Sequence, residues 1–172
     1  MGNGKIFCLI GGILTLISTY LLGFGYVPVN GNAFYGIAFI VNLGVVFDDM
    51  FSYAILFSGG EVVVYLIIAA LILFLVSGVL LLLGTKNRIP AIIGSIMPIF
   101  ISLIFVSYFF DILFSGEILY ISSFMYRPSI VDGLLPLHVN VGNFGSWEMS
   151  LGTYVLLIGG IIGLIGGIKG TD

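Results

Sequence analysis

Four apolar stretches dominate the chain, and each is long enough to cross a lipid bilayer as a helix. They cover about residues 6–26, 62–83, 89–114 and 151–168 of the 172. A membrane-spanning helix needs about 20 mostly apolar residues. Only 8% of the residues are charged, whereas a soluble domain carries about 25%. The sequence therefore predicts an all-α membrane protein, a four-transmembrane-helix bundle that forms one domain over residues 1–172.

The placement of lysine and arginine predicts the orientation of these spans. Lys5 precedes the first span, Lys86 and Arg88 lie in the short turn between the second and third, and Lys169 follows the fourth. In a four-span topology all four lie on one side, and only Arg127 lies on the other. Basic residues accumulate in cytoplasmic loops. We therefore expect a multi-pass protein of the cell membrane with both termini in the cytoplasm.

Two external segments, about 27–60 and 115–149, are unusually apolar for loops. The run "LHVNVGNF" in the second segment alternates apolar and polar residues, which favours a strand. Residues 33–47 of the first segment are compatible either with a short helix on the bilayer or with a pair of strands. Apolar segments of this kind must pack on each other, on lipid headgroups or on another protein. The sequence predicts a small extracellular cap, with short β-strands as one alternative for its secondary structure.

Groups that could perform chemistry are scarce. His138 is the only histidine and Cys8 the only cysteine, and the two are predicted on opposite sides of the membrane. A zinc site takes three or four such ligands. With five basic residues and no basic cluster, the chain also lacks the features of a nucleic-acid-binding protein. We predict no catalytic, cofactor-binding or metal site, and no enzymatic activity.

Several residues are expected at the outer membrane interface. Asp48 and Asp49 form the one acidic pair, which we expect to anchor an apolar segment in water; the alternative is that it binds calcium together with Asp132 or backbone carbonyls. Asp111 lies 22 residues after Ile89, about 33 Å along a helix, so it is expected at the interface. No charge falls at the bilayer midplane, which argues against a pump or transporter. The interface candidates are Asp48, Asp49, Asp111, Trp147 and Glu148.

Small residues recur at helical spacing in the first and last spans. In lipid, small residues let helix backbones approach closely. We expect the first and fourth spans to pack together along these residues, and the competing interpretation is that the last span presents them to a second copy. The helix-packing candidates are Gly11, Gly12, Thr15, Gly159, Gly160, Gly163, Gly166 and Gly167.

The beginning of the last span, "EMSLGTYV" over residues 148–155 followed by glycines, resembles the claudins and their relatives in the peripheral myelin protein group. The resemblance implies a four-helix bundle with a β-rich external cap, lateral self-assembly, and adhesion or barrier roles. The chain departs from that family in its first external segment, because it has no tryptophan or cysteine between residues 26 and 61.

Taken together, these features favour a non-enzymatic membrane protein that acts by assembly. It would assemble with copies of itself as a homo-oligomer, or serve as a small structural or accessory subunit of a complex with partner membrane subunits. The alternative is a channel-forming oligomer, for which Thr15 and the nearby Ser18 and Thr19 supply only a partial polar stripe. The expected surroundings are membrane lipids, with no nucleic acid and no cofactor.

Overall fold

The protein is a bundle of long helices with a small β-sheet beyond one of its ends. The computed structural model describes residues 2–56, 60–110, 122–128, 130–131, 134–144 and 147–170. The helices are α1 (Asn3–Leu21), α2 (Ala38–Asp48), α3 (Met50–Leu56), α4 (Gly60–Leu83), α5 (Arg88–Phe109) and α6 (Leu151–Lys169). The strands are β1 (Gly25–Val27), β2 (Asn32–Phe34), β3 (Tyr126–Pro128), β4 (Asn140–Phe144) and β5 (Trp147–Ser150).

Four of the helices are long and apolar enough to cross a membrane. These stretches are Asn3–Leu21, Gly60–Leu83, Arg88–Ser107 and Leu151–Lys169. The predicted first span, 6–26, is too long at its end, because α1 stops at Leu21 and Gly25–Val27 pair as a strand. An apolar strand that follows an apolar helix leaves no break in hydropathy. The last residues of the predicted third span, 111–114, lie outside the described residues.

The four long helices form a closed ring in which each packs on two neighbours. α1 contacts α4 and α6, and α5 contacts α4 and α6. A tight turn joins α4 to α5, where the backbone N–H of Gly84 donates to the carbonyl of Leu80 at 2.9 Å. Short connections of this kind make neighbouring helices antiparallel. As a result, the segments between α1 and α4 and between α5 and α6 meet at the same end of the bundle.

Those two segments share one five-stranded antiparallel sheet, in the order β3-β2-β1-β5-β4. Strands β1 and β2 come from the first segment, and the other three from the second. β5 runs directly into α6, so the α1–α6 helix pair continues as the β1–β5 strand pair. The strand expected in "LHVNVGNF" is β4. Of the two structures proposed for residues 33–47, the short helix is present as α2, and only the end of one strand, β2, precedes it.

One aromatic core joins the sheet to the bundle. The ring of Phe24 lies 6.1 Å from that of Phe74 on α4 and 5.3 Å from that of Phe105 on α5. Phe34 of β2 also packs on Phe105, with ring centroids 5.7 Å apart. Burying a side chain of this size contributes roughly 1.5–3 kcal/mol. The cap is therefore held to the helices by the same core that holds the helices together.

Candidate functional site

Glycines bring α1 and α6 into backbone contact. A Cβ atom added to Gly11 would lie 2.7 Å from the carbonyl oxygen of Gly159 and 2.7 Å from the amide nitrogen of Gly163. Nearer the chain termini, a Cβ on Gly166 would lie 2.7 Å from the amide nitrogen of Cys8. Real Cβ atoms almost never approach other atoms this closely, so the contact depends on the absence of side chains.

The remaining glycines of the predicted stripe face other helices. Gly12 meets Leu82 of α4, Gly160 meets Ile99 of α5, and a Cβ on Gly163 would also collide with a Leu81 side chain. Gly167 packs on Ile92, likewise on α5. The glycines within α6 are buried inside this chain. A second copy cannot reach them, so any assembly must use a different surface.

Hydroxyl groups between the helices lie inside the bundle. Thr15 is buried against Gly159, and the Ser18 hydroxyl donates to the carbonyl of Gly152 at 2.6 Å. Thr153 donates likewise to the carbonyl of Phe24 at 2.8 Å. The hydroxyls of Thr15 and Thr19 have no hydrogen-bond partner among the described residues. These groups therefore face neighbouring helices of the chain and do not line an open path.

The two faces of the sheet differ in chemistry. One face packs on the aromatic core, where the ring of Phe34 stacks on that of Trp147 with centroids 5.1 Å apart and lies 5.0 Å from that of Tyr126. These three rings, with Ser122 and Ser123, line a cavity of about 250 Å³. Trp147, predicted at the outer interface, is thus a part of the cap core.

On the other face, His138 forms a polar cluster. Its Nε2 atom lies 2.9 Å from Oε2 of Glu148, and its Nδ1 atom is hydrogen-bonded to the hydroxyl of Ser150. Its ring packs against that of Tyr26, with centroids 4.4 Å apart and a tilt of 32° between the ring planes. Glu148 and Ser150 share a face because side chains two apart on a strand point the same way. Their alternation could be read from the sequence, but their pairing with His138 could not.

A serine, a histidine and a carboxylate in contact invite comparison with a hydrolase triad. A nucleophilic serine must meet its substrate, yet Ser150 has 0% of its surface exposed. The hydrogen bonds instead fasten the segment that carries His138 onto β5. Backbone bonds continue this attachment, from the Gly23 N–H to the Leu137 carbonyl at 3.2 Å and from the Leu151 N–H to the Val139 carbonyl at 2.9 Å. The cluster therefore has a structural role, because it attaches the segment around His138 to β5.

A second polar cluster fixes α2 to the sheet. The buried Asn42 donates to the carbonyls of Phe124 and Tyr126 at 2.8 and 3.3 Å, and its Oδ1 accepts a hydrogen bond from Nε of Arg127. Tyr35 donates to the Pro128 carbonyl at 2.8 Å. Burial raises the pKa of the Tyr35 phenol, and nearby Arg127 partly offsets this.

The other acidic candidates do not form a metal site among the described residues. Asp48 is the last residue of α2 and Asp49 is its C-cap, where the Asp49 N–H donates to the Val45 carbonyl at 3.1 Å. Both are exposed. In the described ranges no three histidine, cysteine or acidic residues come together as metal ligands. Asp111 and Asp132, the second of which is the proposed calcium partner, lie outside the described residues.

The cap also carries an exposed apolar surface, whose residues could not be identified individually from the sequence. Apolar side chains of α2 and α3 are half or more exposed, and they follow one another along the two helices. We call this surface the cap face; its residues are Ile40, Val41, Val45, Phe47, Phe51 and Ile55. α3 packs on α4, where Val62 and Leu66 near the beginning of the helix are 68% and 63% exposed. The only signal in the sequence was the apolar composition of 33–47.

Comparisons with known proteins give no assignment: no family model, no curated protein and no solved structure matches this chain.

Proposed function

We propose that the chain is a multi-pass membrane protein that acts, without catalysis, by lateral assembly through its cap. In this proposal both termini are cytoplasmic and the cap lies outside the cell. The orientation is based on four basic residues that lie at the end of the bundle opposite the sheet, namely Lys5, Lys86, Arg88 and Lys169. The partners are further copies of the chain or other membrane subunits.

The bundle interior supports an assembly role over a transport role. Its glycines bring helices of the same chain together, and its hydroxyls are buried at those contacts. Every lysine, arginine and acidic residue of the four long helices lies in the first or last turn. Charged residues inside spans typically mark the pathways of ions, protons and substrates. The bundle therefore acts as a scaffold for the cap.

The cap face is the observation that carries the proposal. Folded monomers rarely leave large contiguous apolar patches in water, and such patches typically mark protein or membrane contacts. The buried side of α2 is already used, because Phe39, Asn42 and Val46 pack inward. The opposite side carries the exposed apolar residues of the cap face and is available to bind another protein.

The resemblance to claudins is consistent with this proposal. It implies strands from external segments above four helices and lateral self-assembly, and it suggests adhesion or barrier formation as the wider role. Strands from both segments do share one sheet here. The basis for assembly in this chain is nevertheless its own cap face, because the residues that resemble the family lie in β5 and α6.

The mass of the native particle tests this proposal. The protein would be extracted directly into lipid nanodiscs or mild detergent, and its particles weighed by native mass spectrometry. We expect a dimer, a larger oligomer or a defined complex. Val45→Ser on the cap face should shift the particles towards monomer, while Ile13→Ser, at a similarly exposed position on α1, should not. A monomer at all concentrations, with no co-purifying subunit, would contradict the proposal.

A further inference from the structure

Arg127 is the only lysine or arginine in the two segments that build the cap, and its side chain is half-buried. The other arginine of the chain, Arg88, is exposed at the opposite end of the bundle. A charge withdrawn from water is normally paired with an opposite charge. Among the described residues, however, the one ion pair joins His138 to Glu148, and no described acidic residue pairs with Arg127.

A buried amide holds the guanidinium of Arg127 in one orientation. Its Nε–H donates to Oδ1 of Asn42, and Nδ2 of Asn42 donates to the carbonyls of Phe124 and Tyr126. Asn42 is only 7% exposed, so this support is fixed on both sides. The terminal nitrogens of a guanidinium carry four further N–H groups, and these have no hydrogen-bond acceptor among the described residues. Such a planar fork matches two oxygens of one phosphate or carboxylate.

The sheet register gives the position of Arg127 relative to the helices. Arg127 pairs with Ala33 on β2, Ala33 pairs with Tyr26 on β1, and Tyr26 pairs with Glu148 on β5. Directly opposed residues share a face of the sheet, so Arg127 lies on the face that also carries the His138 cluster. It is level with Glu148, three residues before the first residue of α6, Leu151.

In the proposed topology this level is that of the lipid headgroups. The 19 residues of α6 extend about 28 Å, close to the roughly 30 Å of a hydrocarbon core. Three strand residues add at most about 10 Å, and the headgroup layer occupies about 5–7 Å on each side of the core. Phospholipid phosphates form a layer of oxyanions at this depth. The long side chain of Arg127 is therefore within reach of them.

We propose that Arg127 binds the phosphate of a phospholipid headgroup on the cap side of the membrane, in an orientation set by Asn42. The two terminal nitrogens of Arg127 donate to two phosphate oxygens. The lipid as the source of the phosphate rests on the proposed topology, whereas the oxyanion site rests on the contacts of Arg127. The contact holds the cap against the bilayer surface and uses no residue of the cap face.

Lipid titration in a maltoside detergent, which has no phosphate, tests the ligand. Delipidated protein would receive dioleoylphosphatidylglycerol, dioleoylglycerol (the same chains without phosphate) or glycerophosphoglycerol (the headgroup without chains), and native mass spectrometry would count the bound molecules. We expect the phospholipid to bind roughly tenfold or more tightly than dioleoylglycerol, because a charged hydrogen-bonded pair is gained. The free headgroup should bind more weakly than the phospholipid.

Three variants test the residue and its geometry. Arg127→Gln should lower the affinity for the phospholipid to that for dioleoylglycerol, while Arg88→Gln, at the opposite end of the bundle, should not. Arg127→Lys keeps the charge but loses the planar fork and its Nε contact with Asn42, so it should recover only a small part of the affinity. The oligomeric state should be unchanged in all three.

Solid-state NMR reads the contact without removing Arg127. In an Arg88→Lys protein labelled with ¹⁵N-arginine, Arg127 is the only labelled residue. In dioleoylphosphatidylglycerol bilayers its terminal nitrogens should lose signal through dipolar coupling to ³¹P. A purely structural role for Arg127 would produce no such loss.

Four results would overturn the site. They are equal affinity for dioleoylphosphatidylglycerol and dioleoylglycerol, full affinity in Arg127→Lys, absence of ³¹P coupling, and binding of glycerophosphoglycerol as tight as that of the phospholipid, which would make the ligand a soluble phosphodiester. A double-mutant cycle tests a carboxylate partner. If Arg127→Gln, Asp132→Asn and the double variant lose equal stability, Arg127 pairs with Asp132 and the proposal fails. None of these outcomes changes the native mass of the particle, so this site and the proposed assembly fail separately.

Discussion

Substitution of Gly11 by alanine is the most direct test of how the bundle is packed. The new Cβ would lie 2.7 Å from backbone atoms of both Gly159 and Gly163, whereas ordinary contact begins at about 3.4 Å. About 0.7 Å must then be accommodated at this point. Because the opposing atoms belong to the backbone, no side chain can rotate away. α1 and α6 must move apart.

The size of the effect follows from two opposing terms. Overfilling a packed contact typically costs about 1–3 kcal/mol, and a gap of 0.5–1 Å forfeits roughly a quarter to a half of a contact's dispersion energy. Alanine recovers at most about 1 kcal/mol through its better helix propensity. We therefore expect Gly11→Ala to reduce the free energy of unfolding by about 1–2 kcal/mol.

Two matched variants separate packing from propensity. Gly163→Ala collides with the movable Leu81 side chain as well as facing α1, and Gly44→Ala collides with nothing. Thermal unfolding in one detergent, followed by size-exclusion retention, should rank Gly11→Ala as the least stable, Gly163→Ala next, and Gly44→Ala at or above wild type. A midpoint shift of roughly 2–4 °C corresponds to 1 kcal/mol for a chain of this size. The packing account is refuted if Gly11→Ala is as stable as Gly44→Ala.

Three further predictions concern the cap, each measured as unfolding stability. Asn42→Ala removes the hydrogen-bond partner of two carbonyls and of Arg127, and should lower the free energy of unfolding by about 1–3 kcal/mol. A loss below about 0.5 kcal/mol would show that this cluster does not hold α2 to the sheet. His138→Ala leaves the buried Ser150 hydroxyl unpaired and should cost a similar amount, whereas Ala substitution of the exposed Val29 should be neutral. Because its pKa is raised above 10.0, Tyr35 gives stability that is fully present below pH 10 and is lost as pH rises through the raised pKa. Tyr35→Phe should remove that alkaline loss; an unchanged alkaline profile would place its origin elsewhere.

Much of the bundle could be predicted from the sequence because each long helix is apolar over its whole length. Hydropathy alone gives four helices. Small residues that recur at helical spacing, such as Gly159 and Gly166 in the last span, and Gly11 in the first, indicate the sides of those two helices that need close neighbours. Hydropathy does not tell where a helix ends when the next residues are also apolar. That is why the first span was predicted to reach residue 26, although Gly25–Val27 pair as a strand.

The cap was harder to predict because its contacts join distant parts of the chain. Ala33 pairs with Arg127, and Tyr26 with Glu148, and no local pattern carries such pairings. The secondary structure of α2 is ambiguous in the sequence because the helix is apolar on both sides. One side packs on the cap core, and the other forms part of the cap face. Its apolar exposed side removes the alternation that normally identifies a surface helix.

The central claim, that another protein covers the cap face, is tested most directly by labelling that surface in native membranes. A lipid-soluble diazirine and a water-borne hydroxyl radical would be compared at Phe47 and Phe51. The references are two other exposed residues, Ile161 of α6, which we expect to face lipid, and Val29, which we expect to face water. We predict that both phenylalanines are protected from both reagents and become reactive when the protein is diluted to monomers. Labelling of Phe47 and Phe51 from the lipid at the level of Ile161, independent of dilution, would show that lipid covers the cap face and would contradict assembly through it.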